Sequence, residues 1–439
     1  MTESENVQHQ LDQGLQALGV EPVAADDSTR TTATRAVTRS SVRGGRSVTE
    51  LSLQTRGDDV FHWDILGEPA TRSIRSLQRY RFEELAPNEI TEKLVLLDNR
   101  LTPNQGLRQL TSGNLNDSEA EPIASGRVLL LVHGTFSNSE NVVEDLKSTA
   151  VGRSFLEWAD ANYDQLVAFG HPTLSVSPIL NALVLARAFS GSQTEVDVVC
   201  HSRGGLVVRW WLEALAPSSS PRRRAVFVGS PLAGTGLAAP DRLRQTLDLL
   251  ASFSRQLATC ATTASALIPF AAPMFQLSAL MAGVLSSAAT IGSKTPLLDA
   301  MISLVPGLAA QSRQGANAEL LGLRAGFDSS TREHLLAQAR RYAFVISNFE
   351  PEAPGWRFWR HFRKDQLANH AADFVFEGAN DLVVDTPSMT DLADTFQLSP
   401  DDARNRVLDF ATNERVHHCN YFRMPETLQF IQDFLARES

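Results

Sequence analysis

Cys200-His201-Ser202-Arg203-Gly204-Gly205 is the stretch on which the fold turns. An apolar run, Val196-Asp197-Val198-Val199, comes before it, and a helical apolar pattern, Leu206-Val207-Val208-Arg209-Trp210-Trp211-Leu212, comes after. A buried strand, a sharp turn carrying serine and then a helix hold that serine in a strained backbone conformation with its hydroxyl exposed. The helix aims its N-terminal N–H groups and dipole at the same spot. Such a turn favours tiny residues two places before and after the serine. Gly204 meets that demand, and Cys200 stands where glycine is usual.

The chain around this turn is 439 residues long, 43% hydrophobic and 21% charged, which describes a globular protein with a large core. A net charge of −10 argues against a general nucleic-acid binder. Three cysteines, Cys200, Cys260 and Cys419, make no disulfide framework. The N-terminus is polar and lacks an apolar signal core, which reads as cytoplasmic. Residues 256–293 carry no charge, yet Pro269 and Pro273 interrupt them and Thr259, Thr262, Thr263, Ser265 and Gln276 dilute them. A helical cap, buried or touching a membrane surface, fits this stretch better than a span.

Three domains are expected. Residues 1–45 hold a short amphipathic helix (Val7, Leu11, Leu15, Leu18) and a linker rich in Arg, Ser and Thr whose arginines could recruit a protein partner. Residues 46–125 read as a small β-rich module. Val48–Leu53 and Val60–Ile65 alternate as strands, and Leu94–Leu97 is expected to add another. Residues 126–439 alternate buried strands (Val128–Val132, Leu166–Phe169, Val196–Cys200, Ala225–Val228, Tyr342–Ile346, Phe374–Phe376) with helices near 140–148, 154–163, 178–189, 204–215 and 425–436. That alternation implies a mostly parallel sheet covered on both faces, with ligands beyond the C-terminal strand ends. It stops between about 232 and 338, where a helical cap is inserted.

Three more segments carry groups that suit acyl transfer. His133-Gly134-Thr135-Phe136 ends a strand in a loop whose Thr135 or Phe136 N–H could join that of Arg203 as an oxyanion hole. Asp381, in Gly378-Ala379-Asn380-Asp381-Leu382-Val383-Val384, is the expected orienting carboxylate, with Asp385 as its competitor. His418, in Val416-His417-His418-Cys419-Asn420-Tyr421-Phe422, is favoured over His417 as general base.

The chain order serine, acid, histidine and these four segments together resemble the α/β-hydrolase superfamily, in particular its lipase-like and GPI-inositol-deacylase-like branch. The resemblance covers about residues 126–437. It implies an α/β-hydrolase fold and a serine hydrolase with Ser202, Asp381 and His418 as its triad, acting without cofactor. The uncharged cap suggests a lipase or carboxylesterase for an apolar acyl ester or lipid, with Phe270, Phe275, Leu280 and Met281 lining the acyl site. An acyltransferase with the same triad, or a non-catalytic scaffold recruited through its N-terminal region, are the alternatives. Cys200, His201, His417, His418 and Cys419 lack the paired spacing of a zinc site, so no metal is expected.

Overall fold

A computed structural model of the chain describes residues 12, 15–16, 20–23, 41–43, 46–55, 60–64, 76–83, 87–216, 221–238, 243–260, 268–289, 305–313, 317–327, 332–352, 358–359, 362, 375–376 and 378–437, at some positions through the backbone alone. They form two compact units. The first holds residues 1–94, 240–305 and 352–377, the second residues 95–239, 306–351 and 378–439.

The first unit is built on five antiparallel strands, β1 (Val20–Val23), β2 (Ser41–Arg43), β3 (Arg46–Thr55), β4 (Phe61–Asp64) and β5 (Ser76–Glu83), ordered β1-β5-β3-β2 with β4 also on β3. The helices Leu243–Cys260 and Ile268–Ala289 belong to the same unit. Asp248 ties the first of them to β4, accepting from the Trp63 N–H at 2.7 Å and lying 2.9 Å from His62 Nδ1. Among the described residues no helix is long and apolar enough to cross a membrane.

The second unit carries eight strands: β6 (Gly106–Thr111), β7 (Asn114–Glu119), β8 (Ser125–Val132), β9 (Gln165–Gly170), β10 (Gln193–His201), β11 (Arg223–Val228), β12 (Tyr342–Phe349) and β13 (Val407–Asn413). Their order is β13-β12-β11-β10-β8-β9-β6-β7. The pairs from β9 through β13 are parallel, and the β6–β7 hairpin runs antiparallel along the edge. The period of two along each strand divides the core. Val128, Leu130, Val132, Val198, Cys200 and Phe227 pack on one face, Leu129, Leu131, Val199, Val226 and Val228 on the other. Helices cover both faces, among them Pro178–Ala188 and Gly204–Arg209 on the first and Ser139–Lys147, Ala150–Asn162 and Pro425–Ala436 on the second.

This is the expected α/β architecture, with differences in detail. The sheet begins at Gly106, so β6 and β7 fall in the stretch read as a separate module. Leu94–Leu97 is part of a helix, Pro87–Leu101, and not a strand. Ile90, Leu94, Leu97 and Leu101 are buried at helical spacing while Val95 and Leu96 are exposed. Val375 and Phe376 hang from the Phe362 carbonyl in the first unit and do not enter the eight-stranded sheet. The place beside β12 is taken by β13, a half-exposed edge strand whose Asp409, Thr412 and Asn413 hide it from a search for buried runs. The expected inserted segment divides: 240–305 joins the first unit, 232–239 and 306–338 the second. Most of residues 1–45 lies outside the described residues, but the end of the expected linker forms β2.

One charged cluster ties the sheet to the last helix. Asp197 and Arg224 are register partners on β10 and β11. Arg224 grips Asp197 through Nε at 2.7 Å and Nη2 at 2.6 Å, and donates to the Leu435 and Arg437 carbonyls at the end of Pro425–Ala436. Tyr163 adds a 2.7 Å bond to the same carboxylate. Removing one partner of a buried pair strands the other charge. Asp197→Ala should therefore lose about 3 kcal/mol or more, while Asp197→Leu with Arg224→Met should lose much less. Urea unfolding of the three proteins checks this; equal losses in the single and double variants would refute it.

Candidate active site

Four loops at the C-terminal ends of β8, β10, β12 and β13 build the site. At the end of β10, Ser202 has φ = 53°, in the left-handed region that side-chain-bearing residues avoid. Its N–H donates to the Val228 carbonyl at 2.9 Å and its carbonyl accepts from Gly205 N–H at 2.9 Å, which fixes the turn. The glycines are steric necessities. A Cβ on Gly204 would lie 2.6 Å from the His133 carbonyl oxygen and 2.8 Å from that of Val132, and one on Gly134 would lie 2.6 Å from Ser202 Cβ. Cys200 is tolerated because its side chain points into the core, with Sγ 3.4 Å from the Val226 carbonyl.

Asp381 reaches the site by a route the sequence does not reveal. Its loop follows an excursion of chain through the first unit and is fastened to the end of β12. The Phe349 N–H donates to the Asn380 carbonyl at 2.8 Å, the Asn380 N–H to Asn348 Oδ1 at 3.1 Å, and Thr386 Oγ1 to the Ser347 carbonyl at 2.7 Å. The Asp381 carboxylate has no solvent exposure and accepts four hydrogen bonds. Oδ1 takes those of Val383 N–H (3.1 Å) and Val384 N–H (2.8 Å). Oδ2 takes those of His418 Nδ1 (2.8 Å) and Tyr421 Oη (2.9 Å). The His418 N–H also donates to the Asp381 carbonyl at 2.9 Å. With Nδ1–H committed to the carboxylate, the neutral imidazole presents Nε2 as a base. Gly229 (φ = 53°) makes room for this junction. A Cβ there would stand 2.7 Å from the Tyr421 ring, 3.0 Å from Asp381 Oδ2 and 3.4 Å from His418 Nδ1.

The serine and histidine loops are joined through His201, whose Nε2 lies 2.9 Å from the His418 carbonyl. Among the described residues no hydrogen bond links Ser202 Oγ to His418 Nε2. Such contacts are often long until substrate is bound. His417 faces elsewhere. Its Nδ1 accepts from Cys419 N–H at 3.2 Å, its ring stands edge-on to Phe349, and burial lowers its pKa to about 3. Asp385 is turned to the Gly236 N–H (3.1 Å) and Arg313 (3.6 Å).

The three backbone donors separate into two kinds. Among the described residues the Thr135 and Arg203 N–H groups have no acceptor, whereas Phe136 N–H, on a residue at φ = 59°, leans on Thr173 Oγ1 at 3.4 Å. Gln311 holds Thr135 in place, donating to its Oγ1 at 3.1 Å and to the Gly307 carbonyl at 2.7 Å. Behind the loop, His133 and His171 stack at 4.1 Å. Burial lowers the His133 pKa to about 4 and that of His171 well below its ordinary value. The Arg203 side chain is fully buried, with Nη1 3.2 Å from His171 Nδ1 and Nη2 on the Val176 carbonyl. Burial lowers its pKa to about 10, with Asp98 and Glu319 opposing that loss. Asp98 accepts from the Thr173, Leu174 and Ser175 N–H groups at 2.6–3.0 Å and shapes the neighbouring loop. Tyr421, Gln311, Asp98 and Gly229 were not legible as site residues, since only their three-dimensional partners distinguish them.

Of the residues expected to line an acyl site, Phe275 packs on Trp63 and Tyr80 in the core of the first unit, and Leu280 and Met281 are buried in that unit. The Phe270 side chain lies outside the described residues. Among the described residues no group of three His, Cys, Asp or Glu side chains could hold a metal ion.

The sheet order and its flanking helices are those of an α/β-hydrolase fold. The chain belongs to the family described as a domain of unknown function, DUF7379, whose model matches residues 97–436. No curated protein matches it. Among solved structures it is similar to Bacillus licheniformis lipase BlEst2 in mature form (14% identity, 72% of this chain and 93% of that one, TM-score 0.36). It is also similar to a putative aryl esterase from Burkholderia cenocepacia (13%, 75% and 95%, TM-score 0.32) and to juvenile hormone epoxide hydrolase from the silkworm Bombyx mori (13%, 72% and 71%, TM-score 0.25).

Two outcomes follow from the packing. Gly204→Ala drives a methyl into two backbone carbonyls and should destabilise by about 3 kcal/mol, whereas Gly378→Ala, with nothing within 4 Å, should change stability by under about 0.5 kcal/mol. Parallel denaturation curves decide, and a silent Gly204→Ala would contradict the geometry. His133 stays neutral in the folded chain down to about pH 4 but titrates near 6.5 when unfolded. Below 6.5 the unfolded state therefore binds the extra proton, and stability falls as pH drops from 6.5 towards 4. His133→Gln should flatten that slope in thermal melts; an unchanged slope would exclude His133 as its source.

Proposed function

We propose that the protein is a serine hydrolase of carboxylic esters, working through an acyl-serine intermediate. The observation that carries the reading is the buried His418–Asp381 pair at the same strand ends as a serine held at positive φ. His418 Nε2 takes the proton from Ser202 Oγ as that oxygen bonds to the ester carbonyl carbon. The carbonyl π electrons move to oxygen, which the Arg203 and Thr135 N–H groups receive. Each such donor contributes roughly 3 kcal/mol in the transition state. As the tetrahedral carbon collapses, His418 returns its proton to the departing alkoxide. Water then repeats the sequence on the acyl-serine and releases the acid. The Asp381 carboxylate fixes the tautomer and stabilises the imidazolium.

Phe275, Leu280 and Met281 are already packed in the first unit and supply no argument for a long apolar chain.

A fluorophosphonate probe should label Ser202, identified by peptide mass spectrometry. Hydrolysis of p-nitrophenyl esters of graded chain length should fall by about 10⁴ or more in Ser202→Ala and in His418→Ala. His417→Ala should retain most of the activity. An unlabelled serine together with no ester turnover at any chain length would sink the reading.

A further inference from the structure

Asp381 is a buried carboxylate, and among the described residues no lysine or arginine bonds to it. Its charge is met by neutral donors, and on the oxygen that faces His418 the one other donor is the Tyr421 hydroxyl, at 2.9 Å. Tyr421 is held for this purpose from several sides. It is 1% exposed, packed in the core beside the sheet, edge-on to His201, and its ring occupies the space that only a glycine at 229 leaves open. Met389 Sδ, at 3.9 Å, is a weak alternative acceptor. Burial, and then the Asp381 charge, push the phenol well above its ordinary range, so the hydroxyl stays a donor wherever the protein is folded.

We propose that Tyr421 is a positioning residue for the reaction, sharing Asp381 Oδ2 with His418 and setting how strongly the carboxylate holds the imidazole. The inference rests on the reading of Ser202, Asp381 and His418 given above. Two consequences follow from hydrogen-bond chemistry. The tyrosine anchors Oδ2, so the imidazole plane is fixed with it. The tyrosine also draws charge from Oδ2, which weakens the carboxylate's pull on an imidazolium and keeps His418 easier to deprotonate. Besides Asp381 and Tyr421, the titratable groups around this junction are Cys419, whose thiol is pushed well up by burial, and two histidines, His201, whose ring lies 4.7 Å from that of His418, and His417. Burial keeps both of these neutral, Asp409 acts on the phenol, and Arg423 acts on His417.

The test is the rate of fluorophosphonate labelling of Ser202 as a function of pH in the full chain. Wild type, Tyr421→Phe and protein with its four tyrosines replaced by 3-fluorotyrosine are compared, with Ser202→Ala as control. Phenylalanine fills the same space without the donor. The Tyr421→Phe plateau rate should fall about tenfold, and the midpoint of its acid limb should rise by about half a pH unit. Fluorotyrosine is a stronger donor, so its midpoint should move down. Of the four tyrosines only Tyr421 bonds Asp381. A merely structural role would lower the rate without moving the midpoint, and that result overturns the proposal, as does an unchanged rate. Should Tyr421→Phe fail to fold by circular dichroism, the fluorotyrosine protein decides, and an unmoved midpoint is the refuting result. A wild-type chain labelled elsewhere, or not at all, overturns the triad reading and this inference with it.

Discussion

A carboxylate sealed from water is tolerable only where donors surround it, and Asp381 gathers its donors from two loops that are distant in sequence. Val383 and Val384 come from its own turn, and His418 and Tyr421 from the segment after β13. The backbone adds a bond from the His418 N–H to the Asp381 carbonyl. Removing the carboxylate would leave four buried donors unmet and cut the side-chain ties of His418 and Tyr421 to the Asp381 loop. The junction therefore does more than orient an imidazole: it ties together the strand ends on which the site stands.

A second layer of constraint is steric. Gly134, Gly204 and Gly229 each lie where a methyl group would strike backbone or a site side chain, and one on Gly205 would strike Ser230. These close approaches bring the Ser202 turn against the His133–Gly134 loop and let Tyr421 reach the Asp381 carboxylate. The strain of φ = 53° at Ser202 is sustained by the Val228 and Gly205 backbone bonds, not by its side chain. Arg203 adds a buried cation behind the same turn, linked to His171 and fixed to the Val176 carbonyl.

Much of this was legible in the residues. The strands Val128–Val132 and Val196–Cys200 announce themselves as apolar runs because they are buried on both faces. Asp381 and His418 stood out because a loop acid and a late histidine follow a serine turn in the order this fold uses, and the structure brings these two into contact. Other elements were hidden for identifiable reasons. β13 is an edge strand carrying polar residues, so its pattern resembles a loop. Leu94–Leu97 is an apolar run too short to distinguish strand from helix by itself. The hold of Asp381 on β12 crosses an excursion through another compact unit, and no local pattern encodes such a return. Tyr421 was in plain view three residues after His418, but a hydroxyl's partner is a fact of space.

In the proposed mechanism the Ser202 hydroxyl, the His418–Asp381 pair and the Arg203 and Thr135 amides form one reaction centre. A crystal structure of the fluorophosphonate adduct tests it most directly. Phosphorus should be bonded to Ser202 Oγ, with the phosphoryl oxygen within about 3 Å of the Arg203 and Thr135 nitrogens and His418 Nε2 facing the adduct. Phosphorus on another residue, or a phosphoryl oxygen turned away from both amides, would contradict it.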